Sequence, residues 1–403
     1  MKIKFFTLGC KVNQYDTQSI RERFLKNGYE EIYNGEPADV CLINTCTVTA
    51  IADRKSRSVI RNCIRENPRA MIIVTGCIVE KDAGGLSGIK GIGLIISKKF
   101  FPSGVSNFCG HTRAFLKIQD GCNNYCSYCK VPLVRGESRS RAFHEIELEA
   151  ARLVKNGFKE IVLCGICLGS YGKDLKAGTN LADVIKSMEK IDGLLRIRLS
   201  SIEAGDVSLE LINKIARSKK MCKHLHIPIQ SGDDEILKNM HRNFSRSDYL
   251  ALIRIIKNRI PGIAITTDVL VGFPGEKEGH FQNTVDLVKK ILPARTHIFP
   301  YSSRPKTAAS FLEDKINPEV IKERLARLVE ITKDCSLVYK RSFLNKSVDV
   351  LIEAHSKEYK GCWEGYTDNY LKVLVKSRNN LKNQLVKVRL KNINHDCINA
   401  DLL

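Results

Sequence analysis

Three cysteines stand close together in the middle of the chain, namely Cys122, Cys126 and Cys129. Three thiolates on one tight loop can each hold one iron of a four-iron, four-sulfur (4Fe-4S) cube, which leaves the fourth iron without a protein ligand. Zinc is the competing interpretation, but zinc sites usually pair two C-x-x-C halves, and no second pair follows at the usual spacing. The spacing favours an iron-sulfur cluster whose open iron takes an exogenous ligand.

A second set of cysteines, Cys10, Cys46 and Cys77, is spread widely in sequence, but each directly ends a predicted parallel strand. Ligands in open α/β sheets bind outside the carboxyl ends of the strands. We therefore expect these three thiols to converge on one edge of a sheet. The alternative is three unrelated loop cysteines, which is improbable for all three together. The pattern predicts a second three-thiolate cluster with one iron open to a sulfur donor.

The elements that must position these cysteines form an α/β chain with three parts. The first 80 residues alternate strands with amphipathic helices (predicted strands 2–8, 40–44 and 70–76; helices 14–27 and 50–67), which predicts a doubly wound parallel sheet. A Gly- and Lys-rich stretch over 84–104 then breaks the pattern. We place the first domain at residues 1–108.

Further apolar runs separated by helical segments predict a central partial (βα) barrel over residues 109–338. The predicted barrel strands are 114–118, 160–163, 195–199, 224–229, 263–271 and 296–299. Alternating runs at 347–352, 370–376 and 384–390 predict a small all-β barrel over residues 339–403.

Charge and composition restrict the partners. The chain has 65 Lys plus Arg against 44 Asp plus Glu, a formal charge of +21, which favours a polyanionic partner. No apolar stretch approaches the ~20 residues that span a bilayer, and the N-terminus has no signal-peptide pattern, so we expect a cytoplasmic protein without a membrane partner. Seven of the other cysteines are predicted to be buried small apolar residues: Cys41, Cys63, Cys109, Cys222, Cys335, Cys362 and Cys397.

The cysteine spacing at 122–129, with Tyr128 before the third cysteine, resembles that of the radical S-adenosylmethionine (SAM) superfamily. Within it, the chain is similar to the methylthiotransferase family along nearly its whole length. The strings that carry this resemblance are 7–17 (TLGCKVNQYDT), 44–49 (NTCTVT), 74–77 (VTGC), 132–136 (PLVRG), 165–172 (GICLGSYG), 198–203 (RLSSIE), 224–232 (HLHIPIQSG), 268–276 (DVLVGFPGE) and 297–301 (HIFPY). The C-terminal strings 350–353 and 365–373 resemble the TRAM module, a small RNA-binding β-barrel.

The resemblance implies a reaction. In this family SAM chelates the open iron, one-electron reduction gives a 5′-deoxyadenosyl radical that takes hydrogen from C2 of a modified adenosine, and a second SAM supplies the methyl group added with sulfur. Residues 11–14 and 47–49 are similar to the MtaB branch, which modifies N6-threonylcarbamoyladenosine at position 37 of tRNA. The implied partners are a tRNA anticodon stem-loop and an electron donor such as flavodoxin or ferredoxin. One alternative is the same reaction on N6-isopentenyladenosine; another is a non-catalytic iron-sulfur RNA-binding redox regulator.

Several other residues are candidates for SAM contacts because they lie near predicted barrel strand ends, within the cysteine loop or just after it. Most of them have an ordinary structural alternative as a cap, turn or surface group. These are Tyr128, Gly165, Glu203, Gln230, Asp268 and Arg135. Candidate RNA contacts are the cations Arg54, Lys55, Arg57, Arg139 and Arg141. Cys167 stands where relatives commonly have Asn, with Cys164 nearby, and their role is open.

Overall fold

The N-terminal part of the chain is a parallel sheet with helices on both faces. The computed structural model describes residues 1–33, 35–98, 104–176 and 178–403. The elements are β1 (Lys2–Thr7), α1 (Lys11–Lys26), β2 (Glu30–Glu31), β3 (Val40–Thr45), α2 (Ala50–Glu66), β4 (Met71–Gly76), α3 (Val79–Ser87) and β5 (Leu94–Ile95). The strand order is β2-β1-β3-β4-β5. Every residue of β3 is buried, as expected for a central strand covered on both faces.

The three long predicted strands and both predicted helices of this part are confirmed. The predicted break over 84–104 contains the end of α3 and the short edge strand β5. Residues 99–103 of that stretch lie outside the described residues.

The central part is a partial barrel of six parallel strands. Its elements are β6 (Arg113–Lys117), β7 (Gln119–Asp120), α4 (Val131–Arg135), β8 (Arg139–Ser140), α5 (Phe143–Lys155), β9 (Glu160–Cys164), α6 (Leu181–Met188), β10 (Arg196–Leu199), α7 (Leu209–Arg217), β11 (His224–His226), α8 (Asp234–Asn239), α9 (Arg246–Arg259), β12 (Ala264–Val271), α10 (Glu278–Ile291), β13 (Arg295–Pro300) and α11 (Pro318–Arg341). Two three-stranded sheets, β6-β9-β10 and β11-β12-β13, are joined by parallel bridges from Ile197 to Met221 and from Ser201 to His226. The predicted barrel is confirmed.

The N-terminal sheet covers the open side of this barrel. At one edge α1 packs against β6, and Val12 and Tyr15 of α1 belong to the apolar core of the barrel. At the other edge, beyond β13, the side chain of Arg304 donates to the Thr47 carbonyl, and Ser302 Oγ accepts from the Ala50 amide at 3.2 Å. The first domain therefore bridges both edges of the partial barrel.

The C-terminal part is a closed β-barrel, as predicted, with the order β14-β15-β16-β18-β17. Its strands are β14 (Ser347–His355), β15 (Cys362–Thr367), β16 (Lys372–Lys376), β17 (Leu385–Asn394) and β18 (Cys397–Leu402). Strands β15 and β18 were not predicted. The barrel lies against the amino ends of the central strands, where buried Glu160 pairs with Arg198 at 2.7 Å. Arg196 and Arg198 also donate to backbone carbonyls of the small barrel.

Of the seven cysteines predicted to be buried, five are buried; the prediction was wrong for Cys109, which is exposed, and for Cys362, which is half-buried. Cys109 lies in a turn before β6, and Cys362 begins β15 with its side chain on the outward side of an alternating strand. Among the described residues, no helix is long and apolar enough to cross a membrane.

Candidate iron-sulfur sites and their surroundings

Cys10, Cys46 and Cys77 follow three adjacent strands, β1, β3 and β4, at their carboxyl ends. Cys46 and Cys77 are buried, whereas Cys10, the N-cap of α1, is exposed. Gly9 has a φ of +102°, and a Cβ there would lie 3.0 Å from Cys46 Sγ, so glycine is needed to bring this turn against the second cysteine. The structure thus brings the three predicted ligands to one edge of the sheet.

The surroundings of these thiols suit an anionic group held by thiolates. Burial raises the pKa of Cys46 to about 11 and also raises the pKa of Cys77, against the opposing charges of Arg135 and Lys98. Nζ of Lys98 is buried and has no hydrogen-bond partner among the described residues. A buried cation facing buried thiols is costly unless negative charge arrives with it. The residues present fit a three-thiolate 4Fe-4S cluster.

No group of three or more His, Cys, Asp or Glu side chains in the described ranges is placed to hold a single metal ion. This does not conflict with the fit to a cluster. In a four-iron cube each thiolate binds a different iron, so the ligands surround a larger body than one ion.

Asn13 organises this first site. Its buried side-chain amide donates to the carbonyls of Leu8 at 2.7 Å and Thr45 at 3.0 Å, which joins the ends of β1 and β3. Its Oδ1 accepts from Arg135 and lies 3.9 Å from Cys77 Sγ. The sequence marked Asn13 only as part of a family string. A buried amide three residues after a candidate ligand was the signal available for this role.

Cys122, Cys126 and Cys129 lie on the loop between β7 and α4, and each sulfur accepts a hydrogen bond from a nitrogen. The donors are the backbone amide of Asn124 at 3.5 Å, Arg242 Nη1 at 3.5 Å and the backbone amide of Val131 at 3.4 Å, respectively. Such donors stabilise the thiolate form and tune iron-sulfur clusters.

The pKa values of this set differ because the local contacts differ. A hydrogen bond from Cys167 lowers the pKa of Cys122 to about 7, whereas burial raises that of Cys129 to about 12. Half-buried Cys129 requires positive charge nearby to ionise, which iron would supply. This loop also fits the predicted cluster.

Arg242, which the sequence did not reveal, connects this loop to the barrel. Its guanidinium is buried, contacts Cys126 Sγ, pairs with Glu203 and donates to the Pro228 carbonyl at 3.2 Å. Glu203, a predicted SAM contact, is therefore the partner of Arg242. Tyr128, another predicted contact, packs against an apolar cluster that contains Met240.

Three other predicted SAM residues, Gly165, Gln230 and Asp268, lie on barrel strands or directly after them. A Cβ on Gly165 would lie 2.9 Å from Gln119 Oε1, which accepts from the Cys167 amide. Gln230 has a φ of +65°, and its backbone amide donates to the backbone carbonyl of Asp268. Asp268 lies inside β12 rather than at its end, and its carboxylate is 3.2 Å from His226 Nε2.

Cys164 and Cys167 have different environments. Cys167 borders the cysteine loop, where its Sγ lies 3.7 Å from Asn124 Nδ2 and 3.5 Å from Asp206 Oδ2. Cys164 ends β9 and is fully buried, with its Sγ 3.3 Å from the Val162 carbonyl. Of the two, Cys167 is the one that contacts a candidate cluster ligand.

Two predicted RNA or SAM cations are engaged inside the protein. Arg135 pairs with Asp120 at 2.8 Å and reaches Asn13, and so lies beside the first cysteine set. Arg141 pairs with Glu149 and donates to the Tyr15 hydroxyl, again joining the first two domains.

The remaining predicted cations lie at or near the surface. Arg54, Lys55 and Arg139 are exposed. Arg57 is half-buried and pairs with Asp53 and Asp82.

Comparison with known proteins agrees with this architecture. Residues 116–288 match the radical SAM superfamily, and residues 2–95 match "Uncharacterized protein family UPF0004". The radical SAM methyltransferase TsrM from Kitasatospora setae, solved with cobalamin and a [4Fe-4S] cluster, has a similar fold: its TM-score is 0.56 at 14% identity, over 76% of this chain and 77% of that chain.

Curated relatives match over most of the chain. The threonylcarbamoyladenosine tRNA methylthiotransferase MtaB of Bacillus subtilis (strain 168) is 39% identical over 96% of this chain and 93% of its own length. The tRNA-2-methylthio-N(6)-dimethylallyladenosine synthase of Pelotomaculum thermopropionicum is 34% identical over 89% of this chain and 88% of its own length. The chain therefore belongs to the methylthiotransferase family of the radical SAM superfamily.

Proposed function

We propose that this protein is a tRNA methylthiotransferase that converts N6-threonylcarbamoyladenosine at position 37 to its 2-methylthio derivative. The observation that carries the proposal is the position of the first cysteine set. The first domain contacts both edges of the barrel, and Arg135, six residues after Cys129, donates to Asn13, whose Oδ1 lies 3.9 Å from Cys77 Sγ. A sulfur-binding site and a radical site would thereby lie on the two sides of one domain junction.

The cofactors are two 4Fe-4S clusters and SAM, two molecules of SAM being used per turnover. Cys122, Cys126 and Cys129 would hold a cluster that would supply the electron for SAM cleavage, and Cys10, Cys46 and Cys77 would hold a second cluster whose open iron would bind sulfur. The electron donor belongs to the flavodoxin or ferredoxin class.

The protein residues position and enclose these groups. Arg242 holds Cys126 and Glu203 in a fixed relation, and the SAM contacts are assigned to the nearby strand ends, with Gly165, Gln230 and Asp268. Asn13 holds the ends of β1 and β3 together at the other site. The contacts of the first domain with both edges of the barrel would help to exclude water from this chemistry.

The RNA surface is assigned to exposed cations of the first two domains, Arg54, Lys55 and Arg139, together with the C-terminal barrel over residues 339–403. That barrel has 11 Lys plus Arg against 7 Asp plus Glu in residues 341–403, an excess of only 4 out of the net 21. Most of the positive charge that meets an anticodon stem-loop therefore lies on residues 1–340.

The target base is supported by the name of the Bacillus relative and by the strings 11–14 and 47–49. The test is mass spectrometry of tRNA nucleosides after expression in a host that lacks its own methylthiotransferases. We expect 2-methylthio-N6-threonylcarbamoyladenosine, and none from a C10A/C46A/C77A control. Appearance of the isopentenyladenosine product instead would reassign the base, and no methylthio nucleoside at all would contradict the proposal.

A further inference from the structure

Arg135 links the two cysteine sites across the boundary between the first two domains. It ends α4, the short helix that follows Cys129, and its guanidinium is buried. Nη1 donates to both oxygens of Asp120 at 2.8 and 2.9 Å. Nη2 donates to Asn13 Oδ1 and lies 3.4 Å from Asp16 Oδ2, so both of these partners come from α1 of the first domain.

The same guanidinium lies next to Cys77. Asn13 Oδ1, which accepts from Arg135, is 3.9 Å from Cys77 Sγ. Lys98, from the first domain, lines the same cavity as Arg135, Asp16 and Asp120, and its buried Nζ has no hydrogen-bond partner in the described part of the chain.

Asp16 and Asp120 pair with Arg135, and neither accepts a hydrogen bond from Lys98 Nζ. A buried ammonium without a hydrogen-bond partner is expensive. A cube held by three thiolates is anionic and gains a further negative charge on reduction, so a cluster at this position would offset that cost. The buried location also strengthens the interaction, because the local dielectric constant is low.

We propose that Arg135 and Lys98 are the counter-charges of the auxiliary cluster and raise its reduction potential. Arg135 belongs to the short helix that follows the cysteine loop of the central domain. Contact with that domain would therefore raise the reduction potential of the cluster in the first domain. Both are positioning residues and neither is assigned a contact with substrate. The inference rests on the proposed function, since it requires a cluster at Cys10, Cys46 and Cys77.

The test uses the full chain reconstituted with iron and sulfide in a C122A/C126A/C129A background, in which only the auxiliary cluster can assemble. Its midpoint potential is measured by a redox titration followed by electron paramagnetic resonance. We expect R135Q and K98Q each to disfavour reduction by at least tenfold in the equilibrium constant, a fall of about 59 mV for a one-electron couple. R135K, which keeps the charge, should move the midpoint much less.

D16N provides a control of opposite sign. It removes a negative charge from the same network and should raise the midpoint. R327Q, a substitution of an exposed arginine on α11, should leave it unchanged.

Unchanged midpoints in both R135Q and K98Q would overturn the inference. If R135Q does not bind iron, the midpoint potentials of K98Q and D16N test the inference instead. Midpoints that shift in the same direction in these two variants, or that do not shift, would overturn the inference. Absence of any cluster in the C122A/C126A/C129A parent would instead contradict the proposed function, so the two failures are distinguishable.

Discussion

Arg304, beyond the last strand of the central barrel, donates from Nη2 to the carbonyl oxygen of Thr47 at 3.0 Å and to its hydroxyl at 2.9 Å. Thr47 directly follows Cys46, a candidate ligand of the auxiliary cluster. This buried side chain, together with the contact from the Ala50 amide to Ser302 Oγ, connects the far edge of the barrel to the candidate sulfur-carrying site.

The first prediction is that R304Q uncouples the two half-reactions. Hydrogen bonds made by a charged donor contribute about 1.5–3 kcal/mol each, so the docked arrangement should weaken by about tenfold or more. We expect thiolation of tRNA to fall by at least about tenfold, while 5′-deoxyadenosine formation and iron content stay near wild type. The measurements are nucleoside mass spectrometry and chromatography of SAM products, with R327Q as the exposed control. Equal loss of both activities would argue against a docking role.

The second prediction concerns iron content. Anaerobically reconstituted protein should hold about eight irons, and each triple cysteine-to-alanine variant should hold about half of them. The C10A/C46A/C77A variant should still cleave SAM under strong reduction, because its radical loop lies in another domain, but should not thiolate RNA. Colorimetric iron and sulfide assays check the first part. Full iron content in either variant would refute the ligand assignment.

The third prediction concerns Glu160, at the junction with the C-terminal barrel. Burial alone would raise the pKa of Glu160, but Arg198, and then Arg113 and Arg196, outweigh it and the pKa is lowered. The carboxylate therefore stabilises the folded state above the ordinary glutamate pKa of about 4.3, and this stabilisation is lost as the pH falls towards the lower folded value. E160Q should cost about 3–5 kcal/mol near neutral pH, because it leaves buried arginine charge uncompensated.

Trp363 is the sole tryptophan and lies buried in the core of that barrel, so its fluorescence during urea denaturation reports on this part of the chain. The gap between wild type and E160Q should narrow between about pH 7 and about pH 3.5. E319Q, an exposed glutamate on α11, is the matched control. A gap that stays constant with pH would show that the carboxylate charge is not the cause.

Sequence alone placed the candidate cysteines at strand ends and on one loop because that information is local. A buried strand such as Val40–Thr45 is recognisable from its apolar run. Cys46 is the next residue, so it must lie at the carboxyl end of that strand. Strand β15 was missed because its six residues include Glu364 and Gly365, which weaken the strand pattern. The need for glycine at position 365 becomes clear only from the neighbouring strand β14, because a Cβ there would lie 2.3 Å from the Leu351 carbonyl oxygen.

Contacts between residues far apart in sequence account for the other differences between the roles expected from the sequence and the contacts in the structure. Arg135 and Arg141 were assigned to SAM or RNA because a guanidinium near a cysteine loop suits an anion. Their partners in the first domain, Asp16 and Tyr15, lie 119 and 126 positions away in sequence, respectively. Arg242, which is 116 positions from Cys126, could not be linked to the loop by spacing.

The last prediction is that tRNA binding depends on the exposed cations of α2 and falls steeply with salt. Arg54 and Lys55 are exposed neighbours on that helix, whereas Arg135 and Arg141 are occupied within the protein. Each phosphate contact that is lost should reduce the slope of log affinity against log salt by about 0.7–0.9. The R54Q/K55Q variant should therefore bind more weakly and with a slope smaller by about one to two.

A K322Q/R327Q variant removes the same charge from the exposed face of α11 and tests whether net charge alone explains the effect. It should change the affinity little and leave the slope close to that of wild type. Fluorescence anisotropy with an anticodon stem-loop over a range of salt concentrations gives both quantities. Equal effects of the two variants would mean that binding follows the overall charge rather than a surface on α2, and a flat salt response of the wild type would remove the electrostatic basis of the prediction.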